Sequence, residues 1–403
     1  VTWTTTLANP TSAQIDFGLT TSYGLTAPVD LTQPSYRTLL LGMKASRTYH
    51  YRIGASNGSG TCQGGDNTIG TGPLPSGLTK PTVTTNDASA LAGGFLIAGQ
   101  YKTDPGAVGA PAYILDADGD YVWWYTVADS DATGVRMSYD GTHIWINNAN
   151  VPKGFNTGAM GAFVHRVTMD GLTDEGFSAQ FAGLSHQLTV LPDETVAFYA
   201  YGANGCEDIK LRAPDGTVTT VVNAQTAHGG TGPCHVNTIQ YSKNDDTLVF
   251  SDLDNNCITK VTRTGTTVWV LGGGTGGVVS SFTGDSWVGG EHGIHLLALD
   301  DILLFNNNST MAAGGTTPLG GSGDGSIALE LKLDLTGKTA ARTWSYKASG
   351  TAYQNDVMGD VERLPNGNTL IAYSNKGVIR EVDASGAVVQ EIKTPKSFGY
   401  IEK

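Results

Sequence analysis

Three histidines occupy one place in a repeated pattern. His186 begins His186-Gln187-Leu188-Thr189-Val190 and stands five residues before the Leu191-Pro192 turn. His235 begins His235-Val236-Asn237-Thr238-Ile239, and His292 begins His292-Gly293-Ile294-His295-Leu296. The same slot holds Thr133 and Gly359 in two other repeats, so the repeat itself does not demand histidine there. Imidazole titrates near neutrality and serves as nucleophile, proton shuttle or metal ligand. Two chemistries follow. In the first, one neutral imidazole attacks a transferable group, splitting one hard transfer into two easier steps. The other histidines and the Asn237 amide then hold the charged oxygens. In the second, the three imidazoles bind a transition metal (Zn, Cu or Fe) with an open fourth position, as in a hydrolase, lyase or oxidase. Asp252, Asp254 and Glu291 would be its further ligands or bases. Trp287, just upstream of His292, is either a stacking platform for an aromatic substrate or a loop anchor.

These side chains need a frame that brings distant segments together. From about residue 80 onward a unit recurs: an approach segment, an apolar strand, a Pro-Asn-Gly or Asp-Gly turn, and further strands. It is clearest in Leu364-Pro365-Asn366-Gly367-Asn368-Thr369-Leu370-Ile371 and in Leu191-Pro192-Asp193-Glu194-Thr195-Val196-Ala197-Phe198. A third copy runs from Asp246-Thr247-Leu248 to Thr267-Val268-Trp269, and others begin near Gly93, Asp140 and Asp301. Units of roughly 50 to 65 residues, each with about four short strands, are the signature of propeller blades. Equivalent positions of successive blades form a ring, so the three histidines are expected on one arc of a central pocket. Ring closure through the strand near Thr79-Lys80-Pro81-Thr82-Val83, or through Phe398-Gly399-Tyr400-Ile401, stays open.

Before the repeats, Val1-Thr2-Trp3-Thr4-Thr5, Ser12 to Phe17, Tyr36 to Leu41 and Thr48 to Ile53 read as strands separated by turns. The fold class is therefore all-β: an N-terminal β-sandwich (1–75) followed by a six-bladed β-propeller (76–403), joined by Gly70-Thr71-Gly72-Pro73-Leu74-Pro75-Ser76-Gly77. The 403-residue length favours two domains, and 54 glycines with only 15% charged residues suit short strands and tight turns. The formal charge of −13, with Lys and Arg scattered, excludes a nucleic-acid surface. No run approaches the ~20 apolar residues of a membrane span. The chain opens directly in strand-like sequence and reads as a mature or trimmed form, secreted or periplasmic. In that compartment the four cysteines, Cys62, Cys206, Cys234 and Cys257, allow one or two disulfides. Cys206 and Cys257 occupy similar places in successive repeats and are the candidate pair, though spacing does not fix the connectivity.

Other features carry less chemistry. His50, His143 and His165 lie inside strand patterns and read as packing or surface residues, while His228 and His295 lie close to the ring and stay open. Asp116-Ala117-Asp118-Gly119-Asp120 is similar to a calcium loop but lacks the distal Glu of an EF-hand, so a polar turn is favoured. The glycine run Leu271-Gly272-Gly273-Gly274-Thr275-Gly276-Gly277 lacks the Lys of a phosphate loop.

The repeats carry a family resemblance. Cys234-His235-Val236-Asn237-Thr238-Ile239 with Val268-Trp269-Val270-Leu271-Gly272-Gly273 resembles the bacterial arylsulfate sulfotransferases. So do Glu291-His292-Gly293 with Ile302 to Asn307, and Gly359-Asp360-Val361-Glu362-Arg363-Leu364-Pro365-Asn366-Gly367. The resemblance spans the propeller, and the N-terminal region resembles a fibronectin type III or immunoglobulin-like module. It implies a six-bladed propeller and sulfuryl transfer between phenols through a sulfo-histidine, with a small aromatic substrate and no cofactor. It further implies His292 as nucleophile, His235 and Asn237 as sulfate contacts, and His186 as another contact. One position departs: Leu253, flanked by Asp252 and Asp254, stands near the arginine that clamps sulfate in that family. Arginine is the natural fork for such an anion. The departure keeps the metal reading open, and beside it a third: a non-catalytic exported binding propeller.

Overall fold

The computed structural model describes residues 1–100, 110–127, 131–148, 163–272, 281–283, 289–310 and 321–403. Trp287 and most of the two glycine-rich runs, 273–280 and 311–320, lie outside the described residues. Chain contacts divide the protein into one unit of 1–80 with 113–124, and a second of 81–112 with 125–403.

In the first unit, Leu25–Pro28, Ser12–Gly18, Thr48–Asn57 and Gly60–Gln63 form an antiparallel sheet in that order, and Asn67–Gly70 also pairs with the long strand. Period-two alternation sends Ile15 and Phe17 into a core with Trp3, Ala27, Tyr49 and Ala55. Between them Asp16 points outward to Arg52. The layer facing this sheet is extended but not a regular sheet. Trp3 packs on Tyr36, and both Val1–Thr5 and Tyr36–Leu41, expected as strands, are irregular. Pro34 and the left-handed backbone at Ser35 and Tyr36 break the strand geometry there.

The Asp116–Asp120 turn belongs to this unit, and a lysine fills it. Lys44 Nζ lies 2.9, 2.6 and 2.9 Å from carboxylate oxygens of Asp116, Asp118 and Asp120. Lys80 Nζ takes the other Asp120 oxygen at 2.6 Å. Burial works against the Lys44 ammonium, but its carboxylate hydrogen bonds hold its pKa above the ordinary value. The polar-turn reading fits this arrangement: an internal ammonium sits where a bound cation would.

The second unit is a succession of antiparallel meanders. Four consecutive strands build each of the sheets that start at Gly134–Met137, Leu184–Val190, Val236–Ser242 and Glu291–Ala298. In the fourth, Ser281–Thr283 adds a parallel outer strand. Leu96–Gly99 is a further short strand of this unit. The last meander starts at Asp360–Arg363 and takes Thr82–Asn86 as its fifth strand, antiparallel to Val388–Lys393. Residues 398–402 then bridge back to Leu96–Gly99 through Ile97–Glu402 and Gln100–Phe398. Of the two segments named for ring closure, one is thus paired at the outer edge of the last sheet and the other bridges to an inner strand.

Each core lies between successive sheets. Val249, Ile258 and Leu271 of one pack on Ile302, Leu304 and Leu329 of the next, and Leu303 and Phe305 pack on Ile371 and Tyr373. A strand buried on both faces reads as a continuous apolar run, as Val196–Tyr201 does. Turn chemistry sets the repeat. In Leu364-Pro365-Asn366-Gly367-Asn368 the Leu364 N–H donates to Asn368 O at 2.9 Å and the Gly367 N–H to Leu364 O, with Gly367 at φ 89°. Only glycine holds that backbone without cost.

Candidate active site

The inner strand of each sheet begins at the histidine slot. His186 lies on Leu184–Val190, His235 immediately precedes Val236–Ser242, and His292 lies on Glu291–Ala298; Thr133 and Gly359 immediately precede their own inner strands. At the last slot a Cβ on Gly359 would come within 2.3 Å of the Phe305 ring, so packing excludes any side chain there.

Bulges aim the site residues. Register shifts between Leu184 and Leu188, Val236 and Thr238, and His292 and His295 bracket His186, Asn237 and the turn after His292. A bulge bends its strand and redirects a side chain that regular alternation would bury. Gly293 makes the last one possible: it has φ 50°, and a Cβ would meet Asp360 Oδ1 at 2.3 Å.

The three imidazoles are brought together. The His186 and His235 rings stack with centroids 5.4 Å apart and planes at 27°. His292 is near enough to act electrostatically on His186, and His235 to act on His292. All three are held neutral at physiological pH. Burial drives His186 well below the ordinary value, aided by His235 and His292. Burial also lowers His235, against the pull of Asp254 and Asp252. Burial brings His292 down to about 4, against its Asn307 hydrogen bond.

Asn307 decides the His292 tautomer. Its Nδ2 donates to Asn355 O at 2.6 Å and Met358 O at 2.8 Å, which fixes the amide orientation. Its Oδ1, 2.6 Å from His292 Nδ1, must then accept, so Nδ1 carries the proton. The lone pair is left on Nε2. His186 Nδ1 pairs with Ser185 Oγ at 2.7 Å. Asn237 is 1% exposed and donates from Nδ2 to Glu291 O at 3.1 Å. Tyr400, brought in by the 398–402 segment, donates its hydroxyl to Asn237 O and sets its ring 6.4 Å from that of His292.

A carboxylate anchors the approach to His235. Buried Asp252 Oδ1 accepts the His235 N–H at 3.0 Å and the Asp254 N–H at 3.1 Å, while Oδ2 takes Asn255 Nδ2 and His228 Nε2 at 2.9 Å each. His228 Nδ1 accepts from Gly230 N, so Nε2 carries its proton. His228 is thus a structural partner of Asp252. Leu253, buried, donates its N–H to His235 O, leaving an apolar side chain at the position of interest. Burial, reinforced by Asp252, pushes Glu207 and Glu291 up to about 8 each. Among the described residues, neither Glu291 carboxyl oxygen has a hydrogen-bond partner beyond its own backbone.

The disulfide differs from the candidate pair. Cys206 bonds Cys234, with Cα atoms 4.5 Å apart, while Cys257 is buried and free and Cys62 exposed and free. Equivalent positions of packed sheets are about 10 Å apart, beyond disulfide reach. Cys234 instead lies on the segment entering the next sheet, and its bond pins the residue before His235.

Other expectations resolve simply. His50 pairs with Asp66 and His165 with Asp174 at 2.7 Å, and His143 with Thr142 at 2.6 Å, all outside the site. His295 lies 3.3 Å from Asp360, farther along the same inner strand as His292. Among the described residues, the groups with ligand atoms within 4.8 Å of one another are His228–Cys234–Asp252 and Asp116–Asp118–Asp120; the three slot histidines are not such a group. The sequence reading missed Asn307, Tyr400 and Glu207 as site residues. Asn307 stood inside a quoted motif, but nothing in its spacing paired it with His292.

These features define an all-β fold of propeller type in which three histidines meet at the starts of inner strands. Residues 210–398, just under half of the chain, match the family model described as Arylsulfotransferase (ASST). No curated protein matches the chain. Among solved structures it is similar to TolB from Acinetobacter baumannii (TM-score 0.50, 12% identity, covering 90% of this chain and 80% of that one). It is also similar to the periplasmic gluconolactonase PpgL of Pseudomonas aeruginosa (0.46, 13%, 89% and 95%). A third is a Bacteroides caccae protein of unknown function (0.46, 14%, 76% and 97%). At these identities the likeness concerns the fold alone. No helix among the described residues is long and apolar enough to cross a membrane.

Proposed function

We propose that this protein transfers a sulfuryl group between phenolic compounds, with His292 Nε2 as the nucleophile. The observation that carries the reading is the Asn307 hydrogen bond, which places the proton on Nδ1 and the lone pair on Nε2. In the first half-reaction Nε2 attacks sulfur, the N–S bond forms, and the S–O bond to the donor phenol breaks. The phenolate leaves and is protonated by water, which recovers that proton when the acceptor phenol's proton passes out through His235 or His186. The positive charge that develops on the ring is stabilised through Nδ1–H by Asn307 Oδ1. In the second half-reaction an acceptor phenol attacks sulfur, the N–S bond breaks, and the phenol proton passes to His235 or His186.

Without an arginine, the sulfate oxygens rely on neutral donors: the N–H groups of His186 and His235 and the Asn237 amide. A pocket beside several carboxyl groups suits an anion when those groups are uncharged. Glu207 and Glu291, at about 8, are largely protonated at pH 7. An anion between the imidazoles would raise their pKa and strengthen these contacts. A Zn, Cu or Fe ion on His186, His235 and His292 is the alternative on the same residues. The anion reading is preferred because the three ligand atoms are not within 4.8 Å of one another. The buried disulfide suits a secreted or periplasmic location.

The test is turnover of an aryl sulfate with a phenol acceptor. Transfer should survive chelators and vanish in His292→Ala, and quenched protein should carry one SO3 on the His292 peptide. Absence of transfer across a broad donor panel, or loss of activity on metal removal, would overturn the reading.

A further inference from the structure

A chain of hydroxyl groups leads outward from His186. In a regular strand, Ser185 and His186 would point to opposite faces. The bulge between Leu184 and Leu188 removes that alternation, and Ser185 Oγ lies 2.7 Å from His186 Nδ1. Asn147 of the preceding sheet holds the bulge, donating from Nδ2 to Ser185 O at 3.1 Å and to His186 O at 2.9 Å. The neighbouring strand runs antiparallel, with Ala200 paired to Leu184 and the Tyr201 N–H donating to Gly183 O at 3.1 Å. The Tyr201 side chain hydrogen-bonds Ser185. Ser185 is fully buried and Tyr201 half-buried, so the chain runs from the pocket toward the surface.

Burial sets what this chain can do. It drives His186 well below its ordinary value, with His235 and His292 adding to the effect, so the ring cannot hold two protons near pH 7. A ring that gains a proton at Nε2 must therefore lose one from Nδ1 in the same step. Burial, with Glu207 and Asp254, raises Tyr201 against its Ser185 hydrogen bond, so its hydroxyl keeps a proton and stays a neutral link. A hydroxyl both donates and accepts, which lets each link pass one proton on while taking another.

We infer that His186, Ser185 and Tyr201 form a proton relay between the pocket and solvent, and that this relay suits the site to acceptor phenols that are un-ionised near neutral pH. The inference rests on the sulfuryl-transfer reading. Ser185 and Tyr201 act through His186 and are positioning residues. With the donor bound, the Tyr201 O–H donates to Ser185, the Ser185 O–H to Nδ1, and the Nε2–H to the sulfate. The departing phenolate takes the Nε2 proton; Ser185 gives its proton to Nδ1, Tyr201 gives its proton to Ser185, and water gives one to Tyr201. In the acceptor half-reaction each transfer reverses. The phenol proton goes to Nε2, the Nδ1 proton to Ser185, the Ser185 proton to Tyr201, and the Tyr201 proton to water. The ring stays neutral throughout, and the two half-reactions return the relay to its starting state. A neutral acceptor also avoids bringing a phenolate toward Asp252 and Asp254, which act on the adjoining His235.

Sulfo-protein made from an aryl sulfate donor, then chased at pH 8 with phenol or with 4-nitrophenol, tests this. Phenol keeps its proton at that pH, and 4-nitrophenol has lost most of its own. Tyr201→Phe and Ser185→Ala should each slow the phenol chase by about 100-fold, and leave the 4-nitrophenol chase within about twofold of wild type. In wild-type protein the phenol chase in mixtures of H2O and D2O should follow a curve against deuterium fraction, because several protons move together. Equal slowing of both acceptors marks a structural defect and overturns the relay. An unchanged phenol chase in both variants overturns it by sending the proton out through His235. A straight line in the isotope mixtures, the mark of a single moving proton, overturns it without any variant. Wild-type protein that takes no SO3 from any donor overturns sulfuryl transfer and the relay together, before a chase is begun.

Discussion

Replacing Glu291 by glutamine should stabilise this protein, and increasingly so as pH rises. Glu291 is fully buried, neither carboxyl oxygen has a partner among the described residues beyond its own backbone, and burial with Asp252 moves its pKa from the ordinary 4.5 to about 8. An unfolded chain ionises this group from about 4.5 upward, whereas the folded protein keeps it protonated to about 8. Between those values the folded state holds the extra proton, so the group's contribution to stability falls as pH rises and levels off above the folded pKa. At about 1.4 kcal/mol per pH unit, the penalty is ~3 kcal/mol at pH 7 and approaches ~5 kcal/mol above pH 8. Glutamine has nearly the same shape and does not titrate. Its amide introduces a constant offset, but the variant-minus-wild-type difference should still climb across the window. Urea unfolding of both proteins at pH 4.5, 6, 7 and 8 measures that difference. A difference that stays flat, or falls with pH, would refute the buried, protonated carboxyl and with it the account of how the pocket tolerates an anion.

Other outcomes follow from the same geometry. Transfer should decline below about pH 4, where His292 gains a proton and loses its lone pair, and should be level above that up to about pH 8. Above about pH 8, ionisation of Glu207 and Glu291 should raise KM for the sulfate donor, an effect absent from the doubly Gln-substituted protein. Asn307→Leu should lower kcat about 10- to 100-fold with little change in KM, because the tautomer and the developing ring charge lose their partner while sulfate contacts remain. Steady-state kinetics separates the two constants, and a change confined to KM would contradict the assigned role. Cys234→Ser should cost about 3 kcal/mol of stability and reduce activity by loosening the approach to His235. Chemical denaturation and turnover under identical conditions check both.

Much of this molecule is written locally. The Leu-Pro-Asn-Gly and Asp-Gly turns are short-range chemistry, so strand count, repeat length and the all-β class are visible along the chain. A repeated register also marks equivalent positions, which is why His186, His235 and His292 stand out as one slot before any coordinates are known. Tyr36–Leu41 shows the limit of local patterning: its apolar run suggests a strand, yet the backbone around Pro34 turns it into an irregular layer over the sheet.

What tertiary structure alone decided depends on which chain segments meet. Asn307 lies 15 residues from His292 and reaches it because their strands are antiparallel neighbours; its own orientation comes from carbonyls on a third segment. Tyr400 reaches Asn237 and His292 only because residues 398–402 return to the inner strands. Cys206 finds Cys234 rather than Cys257 because repeat-equivalent positions are held a sheet spacing apart. Lys44 fills the aspartate turn from 74 residues away, a contact no local spacing encodes. Sequence by itself determined the repeat, the turns and the histidine slot, since each is a matter of neighbours in the chain. The proton positions, the protonated carboxyls and the pairings were decided by burial and long-range contact, which exist only once the sheets have packed.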